Sequence, residues 1–133
     1  MSPTTTYADV VAAVGATIAA YTHALDDGRP DDVVATFCAD GGCDIPGLGT
    51  FVGHEALREA YAGWKPKQPM RHLVVNTHVA EWDDDTAKAT SDVIVLVKGD
   101  MSWAVGVVGR YHDSFHHDGG GWRFHHRAAD FVT

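Results

Sequence analysis

The chain has 133 residues, 45% of them hydrophobic and 21% charged, which is the composition of one globular domain with a core of its own. A formal charge of −8 supplies no basic stripe for a nucleic-acid backbone and repels an anionic membrane surface. No apolar run is read as approaching the roughly 20 residues that cross a bilayer, and "MSPTTTYADVV" lacks the basic and apolar regions of a secretory signal, so a cytoplasmic protein is expected.

The first predicted element is a helix over Tyr7 to Leu25, because Val10, Val14, Ile18, Tyr21 and Leu25 recur at helical spacing. Gly28 and Pro30 stop it. A short second helix is predicted over Pro30 to Phe37, with proline in its first turn and Asp31 and Asp32 at its positive end. The two cysteines, Cys38 and Cys43, form neither a metal spacing nor a disulfide framework. Both are expected as reduced thiols, Cys38 as a small buried hydrophobe beside Phe37. "ADGGCDIPGLGTFVG" reads as a hairpin with glycine turns, and "GHEALREAYAGW" as a third helix with Leu57 and Tyr61 inward. From Met70 the pattern changes to strands: "RHLVVNTHVAEW", "TAKATSDVIVLVK", Trp103 to His116, and "WRFHHRAADFV". The expected plan is α+β, one domain over residues 1–133, with helices packed on one face of a curved sheet built largely from an antiparallel meander.

Asp26 and Asp27 end the first helix side by side. At about 100° per residue, Asp26 lies about 80° from Ile18, at the border of the apolar stripe, and Asp27 about 180° away, facing solvent. Geometry leaves open whether Asp26 turns toward the core or is a solvated or capping acid. In "MRHLVVNTHV", strand alternation puts His72, Val74, Asn76 and His78 on one face and Arg71, Leu73, Val75 and Thr77 on the other. A neutral histidine beside a buried carboxylate is a competent general base; a structural or exposed histidine is the alternative. His112, His116, His117, His125 and His126 invite a metal reading. Adjacent histidines on a strand face opposite sides, so such a site needs alternating positions on neighbouring strands. With no HExxH, cysteine pair, P-loop, GxSxG or GxGxxG, neither a metal nor a cofactor is expected. The four tryptophans and four tyrosines suit core packing, an apolar pocket or an oligomer interface.

Together, "YTHALDDGRPDDVVATFCADGGCDIPGLGTFVGHEALREAY", "RHLVVNTHV" and "GRYHDSFHHDGGGWRFHHRAADF" resemble the SnoaL-like branch of the nuclear transport factor 2-like superfamily, over about Tyr7 to Phe131. The resemblance implies a cone-shaped α+β barrel, its helices closing a strongly curved mixed or antiparallel sheet around an apolar pocket. Its lyases, including scytalone dehydratase, bile-acid 7α-dehydratase and hexachlorocyclohexane dehydrochlorinase, use an Asp–His dyad without a cofactor. Carried over by position, the dyad is Asp26 and His72. Tyr21 stands five residues before the acid, Asn76 four after the histidine, and Arg127 falls on the last strand. By alternation Arg127 has the parity of Arg123, opposite Trp122 and Phe124. Ile45 stands where a second pocket tyrosine is found in scytalone dehydratase, and Val97 or a neighbour where it has a second histidine.

The implied catalytic set is therefore Asp26, His72, Tyr21 and Arg127. The implied substrate-binding set is Asn76, Ile45, Trp64, Trp103 and Tyr111. The implied activity is a dehydratase or a ring-ketone isomerase acting on a small apolar polycycle: steroid, polyketide or terpenoid. The alternatives are a non-catalytic binding or scaffold protein, or a relative of the small subunit of ring-hydroxylating dioxygenases. The expected partners are an apolar organic ligand and further copies of the chain, as a dimer or trimer, with no nucleic acid and no membrane.

Overall fold

The structure, a computed structural model, describes residues 5–132. The first four residues of the N-terminal stretch read above for a signal lie outside the described residues.

Helix α1 (Tyr7–Asp26) starts at a reciprocal cap: the Thr6 hydroxyl accepts from the Asp9 N–H, and the Asp9 carboxylate accepts from the Thr6 N–H. Val10, Val14, Ile18 and Tyr21 form its buried stripe, as their spacing predicts. Its end is set by Gly28, at φ 68°. In that left-handed turn the Gly28 N–H reaches the Leu25 carbonyl at 3.2 Å and the Arg29 N–H reaches the Ala24 carbonyl at 2.9 Å. These paired bonds close the last turn and leave Asp26 as its final residue. By length and composition α1 passes for a membrane-crossing helix, which corrects the reading that no segment approaches that length. Here its apolar stripe packs on the sheet.

Helix α2 (Pro30–Val34) ends three residues before the predicted Phe37. The Thr36 carbonyl accepts the Phe124 N–H at 2.8 Å, so sheet pairing draws the chain out of the helix. Strands β1 (Phe37–Ile45) and β2 (Gly49–Val52) form the expected hairpin and α3 (His54–Gly63) follows. Then come β3 (Met70–Trp82), β4 (Thr86–Lys98), β5 (Trp103–His117) and β6 (Trp122–Phe131). The six strands form one sheet in the order β2-β1-β6-β5-β4-β3. All neighbours are antiparallel except β1 and β6, which run parallel. The result is a mixed, curved, open sheet with helices on one side.

Phe37, Phe115 and Phe124 are fully buried against Tyr21, Tyr61 and the α1 valines. Along β4 the inward residues Ala87, Ala89 and Ser91 are small, then Val93 and Val95 are larger. The small ones belong where the helix layer lies close; the valines reach the end of the sheet that the helices leave uncovered.

Two of the sheet's register shifts reset strand parity at residues expected in the site. In β3 the pairing with β4 jumps between Val75 and His78, placing Asn76 and Thr77 opposite Ser91 alone. Asn76 takes φ 55°, a left-handed conformation that asparagine tolerates better than most residues. Beyond the bulge Val79 is the buried residue and His78 is exposed, so the predicted shared face of His72, Val74, Asn76 and His78 holds only through Val74. In β6 the pairing with β5 jumps between Ser114 and Phe115, leaving His125 as the extra residue. Phe124 and Arg127 are both wholly buried as a result, which overturns the parity that set Arg127 opposite Phe124.

Candidate active site

Asp26 comes to the site from the closed end of α1, and His72 from the third position of β3. The Asp26 Oδ1 atom lies 2.6 Å from His72 Nδ1, and Oδ2 accepts the His72 backbone N–H at 2.9 Å. Both carboxylate oxygens are thus committed to one residue 46 positions downstream. The two side chains are 4% and 13% exposed, so the pair is nearly dry. With Nδ1–H donating to the carboxylate, Nε2 of His72 is the basic nitrogen, and it has no partner among the described residues. Asp27, by contrast, is solvated and pairs with Arg29 at 3.5 Å. Asp32 pairs with Arg29 and Asp31 with Arg58, as charges at helix ends should.

His72 sits in the wall of a cavity of about 240 Å³, between α1, α3 and the uncovered end of the sheet. Leu25, Ile45, Val93, Val95 and Val107 supply much of its apolar wall. Its polar or amphipathic members are His72, Tyr21, Tyr61, Trp64 and Tyr111. The Tyr21 and Tyr61 hydroxyls lie 2.5 Å apart; with the Tyr61 hydroxyl donating to Cys43 Sγ at 3.9 Å, Tyr21 donates to Tyr61. Burial pushes the Tyr21, Tyr61 and Tyr111 phenols up while Arg127 pulls against it, so each keeps its proton at neutral pH.

Arg127 is inside the protein, but behind the cavity wall. Its guanidinium carbon lies 3.4 Å from the centre of the Tyr111 ring, 4.4 Å from that of Tyr21 and 4.7 Å from that of Phe124. Buried cation–π contacts of this kind contribute about 2 kcal/mol or more. Its charge partner is Asp113, with Nε 3.2 Å from Oδ1 and both side chains fully buried. No polar atom of the two side chains makes a well-aligned hydrogen bond among the described residues. Burial pushes the Asp113 carboxyl up to about 6, with Arg127 pulling it back.

Of the residues expected at the site, the structure brings together Asp26, His72, Tyr21, Ile45, Trp64 and Tyr111. It does not bring Asn76 there. The bulge turns Asn76 outward, where its amide donates to Asp92 at 2.9 Å. Nor does it bring Trp103, which is 45% exposed at the start of β5 and pairs with Lys98 in the sheet. Arg127 touches the cavity only through the rings of Tyr111 and Tyr21. Sequence reasoning missed Asp113, although alternation along β5 puts it on one face with Tyr111 and Phe115. An acid flanked by two aromatics on a buried face was the available signal. The histidine-rich C-terminal strands do not converge. His112, His125 and His126 each pair with a separate carboxylate, Asp130, Asp40 and Asp44, and His116 stacks on His125.

Compared with known proteins, residues 6–128 match the SnoaL-like domain family. Among solved structures the chain is similar to a Novosphingobium aromaticivorans protein assigned as an aromatic ring hydroxylase, at 26% identity and TM-score 0.85, covering 97% of this chain and 93% of that one. It is also similar to a protein of the same organism assigned as a scytalone dehydratase, at 18% identity and TM-score 0.81, covering 93% of this chain and 85% of that one. A third similar structure is LinA, a hexachlorocyclohexane dehydrochlorinase, at 19% identity and TM-score 0.81, covering 93% and 86%. At these last two identities the likeness carries the fold alone. No curated protein matches the chain.

Proposed function

This chain belongs to the SnoaL-like domain family, and on that premise we propose that it is a cofactor-free lyase or isomerase whose base is His72, oriented by Asp26. The observation that supports this reading is the dry, doubly hydrogen-bonded Asp26–His72 pair in the wall of an apolar cavity. His72 Nε2 takes a proton from a carbon next to a carbonyl, and the C–H electron pair becomes the π bond of an enolate. The Asp26 carboxylate stabilises the imidazolium that forms. In a dehydration the enolate then expels a β-hydroxyl, which takes the proton from the His72 imidazolium and leaves as water. In an isomerisation the proton returns at another carbon of the same conjugated system. The apolar wall excludes water and strengthens each polar contact inside it.

Structural neighbours carry the names of a dehydratase and a dehydrochlorinase, and those names make elimination the chemistry favoured in this proposal. The cavity also bounds the substrate. At about 240 Å³ it is smaller than the roughly 300–1,000 Å³ typical of pockets for drug-sized ligands. A one- or two-ring ketone of polyketide or terpenoid type fits that space better than a four-ring steroid.

The experiment uses 2-tetralone, a two-ring ketone, and follows exchange of its α-hydrogens in D2O by NMR. The native protein is expected to accelerate exchange. His72→Ala should abolish the acceleration with the fold intact by circular dichroism, and Asp26→Asn should reduce it about 10²–10⁴-fold. Full exchange by the His72→Ala variant removes the general-base assignment.

A further inference from the structure

Removal of an α-proton puts negative charge on a carbonyl oxygen, and an apolar cavity must supply a hydrogen-bond donor for it. The cavity wall has few such donors. Tyr21 and Tyr61 are engaged with each other at 2.5 Å. Arg127 is sealed behind two aromatic rings. The Trp64 indole N–H lacks a partner among the described residues, but Trp64 is only half-buried and within reach of water. Tyr111 differs from all of these. It is 6% exposed, lines the cavity, and its hydroxyl has no hydrogen-bond partner among the described residues. The hydroxyl is not among the sealed polar atoms, so this unpaired donor keeps surface open to a ligand oxygen in the cavity.

We infer that Tyr111 is a catalytic residue, its hydroxyl donating a hydrogen bond to the substrate's carbonyl oxygen as the enolate forms. The inference rests on the general-base reading of His72, and it gives a catalytic role to a residue that the sequence placed only in the substrate-binding set. The surroundings suit the task. Tyr111 is locked in β5 opposite Ser91 and Ala129, so the donor is fixed before the ligand arrives. The Arg127 guanidinium, 3.4 Å beneath the ring, draws electron density from the phenol and strengthens it as a donor. Burial keeps it protonated, so it donates throughout the neutral range. Tyr111 and His72 line the same cavity. A substrate spanning the pair would present its α-carbon to His72 and its oxygen to Tyr111. This makes Arg127 a positioning residue that acts through Tyr111.

The test uses 2-naphthol, whose anion mimics a two-ring enolate and absorbs at longer wavelength than the neutral form. In the native protein the bound naphthol should ionise at a lower pH than in water. Tyr111→Phe keeps the ring on Arg127 and removes only the donor. It is expected to raise the ionisation midpoint of the bound naphthol by about one pH unit, equivalent to a tenfold loss of anion affinity. It should also slow 2-tetralone exchange about 10–100-fold, with unchanged circular dichroism. Tyr21→Phe should move the midpoint far less. The Tyr111 effect should persist in a His72→Ala background, since it does not require the base. A midpoint unchanged by Tyr111→Phe overturns the inference, as does a native protein that fails to bind the naphtholate or binds it without lowering the midpoint. The general-base reading fails separately, through exchange that does not depend on His72 while the Tyr111 effect on naphthol stands.

Discussion

Asp113 and Arg127 face each other across β5 and β6 with every polar atom sealed from water and none well bonded. Desolvating two charges costs several kcal/mol each, and a pair in imperfect geometry does not recover it. Removing one partner is worse, because a lone buried charge remains. Arg127→Met is therefore expected to cost about 3–5 kcal/mol in urea unfolding at pH 7, and Asp113→Leu added to it should recover most of that loss. A single variant as stable as the parent would contradict the sealed pair. The pH dependence carries its own sign. The folded carboxyl titrates at about 6, above its ordinary 3.8, so the folded state binds the proton more tightly than the unfolded chain. The contribution of Asp113 to stability is then complete below pH 4, falls as pH rises from about 4 to 6, and is flat above. The total change is on the order of 3 kcal/mol. The doubly substituted variant should lose that component of the slope. Asp83 and Asp92, held below the usual carboxylate range by hydrogen bonds, act in a separate window at lower pH.

At the scale of elements, the dyad depends on where α1 stops. Gly28 at φ 68° closes the helix so that Asp26 turns inward and Asp27 outward. A Cβ at Gly28 would meet only Pro66 Cδ at 3.9 Å, so space is not the constraint there. The constraint is the left-handed backbone, which costs a residue with a side chain about 1–2 kcal/mol. Gly28→Ala is expected to lower unfolding stability by about that amount and to slow 2-tetralone exchange, because any shift of the helix end moves the carboxylate. Equal stability would show that the cap is not strained. Much of this element was legible. The spacing from Val10 to Leu25 and the Gly-Arg-Pro stop gave the helix and its end, and the wheel put Asp26 at the border of the stripe. It could not choose between core and solvent there, since the partner lies 46 residues away. Asn76 and Arg127 were misread for one shared reason. Alternation assumes an unbroken strand, and one extra residue reverses every face beyond it. Asn76 offers a weak local sign of its bulge, since asparagine accepts φ 55°. Nothing in "FHHR" marks the extra residue His125.

For the whole molecule, the order of helices then long strands was readable from the change in pattern at Met70, and the antiparallel meander followed from its turns. The parallel contact of β1 with β6 was not, because it joins segments with no turn between them to set a register. That contact completes the curve of the sheet and gives it two faces with different fates. The concave face holds the core and the cavity. The convex face carries cross-strand apolar rows that the helices never cover: Leu73, Ile94 and Val108 in register, and beside them Leu96 and Val105. Leu73, Val105 and Val108 are 43%, 61% and 41% exposed, and Trp103 at the strand end is 45% exposed. Scattered exposed leucines and valines are ordinary, but rows of them across three adjacent strands are not. We propose that this face joins copies of the chain, which also gives Trp103 a place the cavity does not. Leu73→Lys with Val105→Lys sets two charges in the rows while leaving the concave face untouched. Light scattering should give the native protein a mass at a multiple of 14.3 kDa and the variant a mass near that value, with circular dichroism unchanged. A native protein that is monomeric at micromolar concentration, or a variant that stays assembled, rules out this face as the interface.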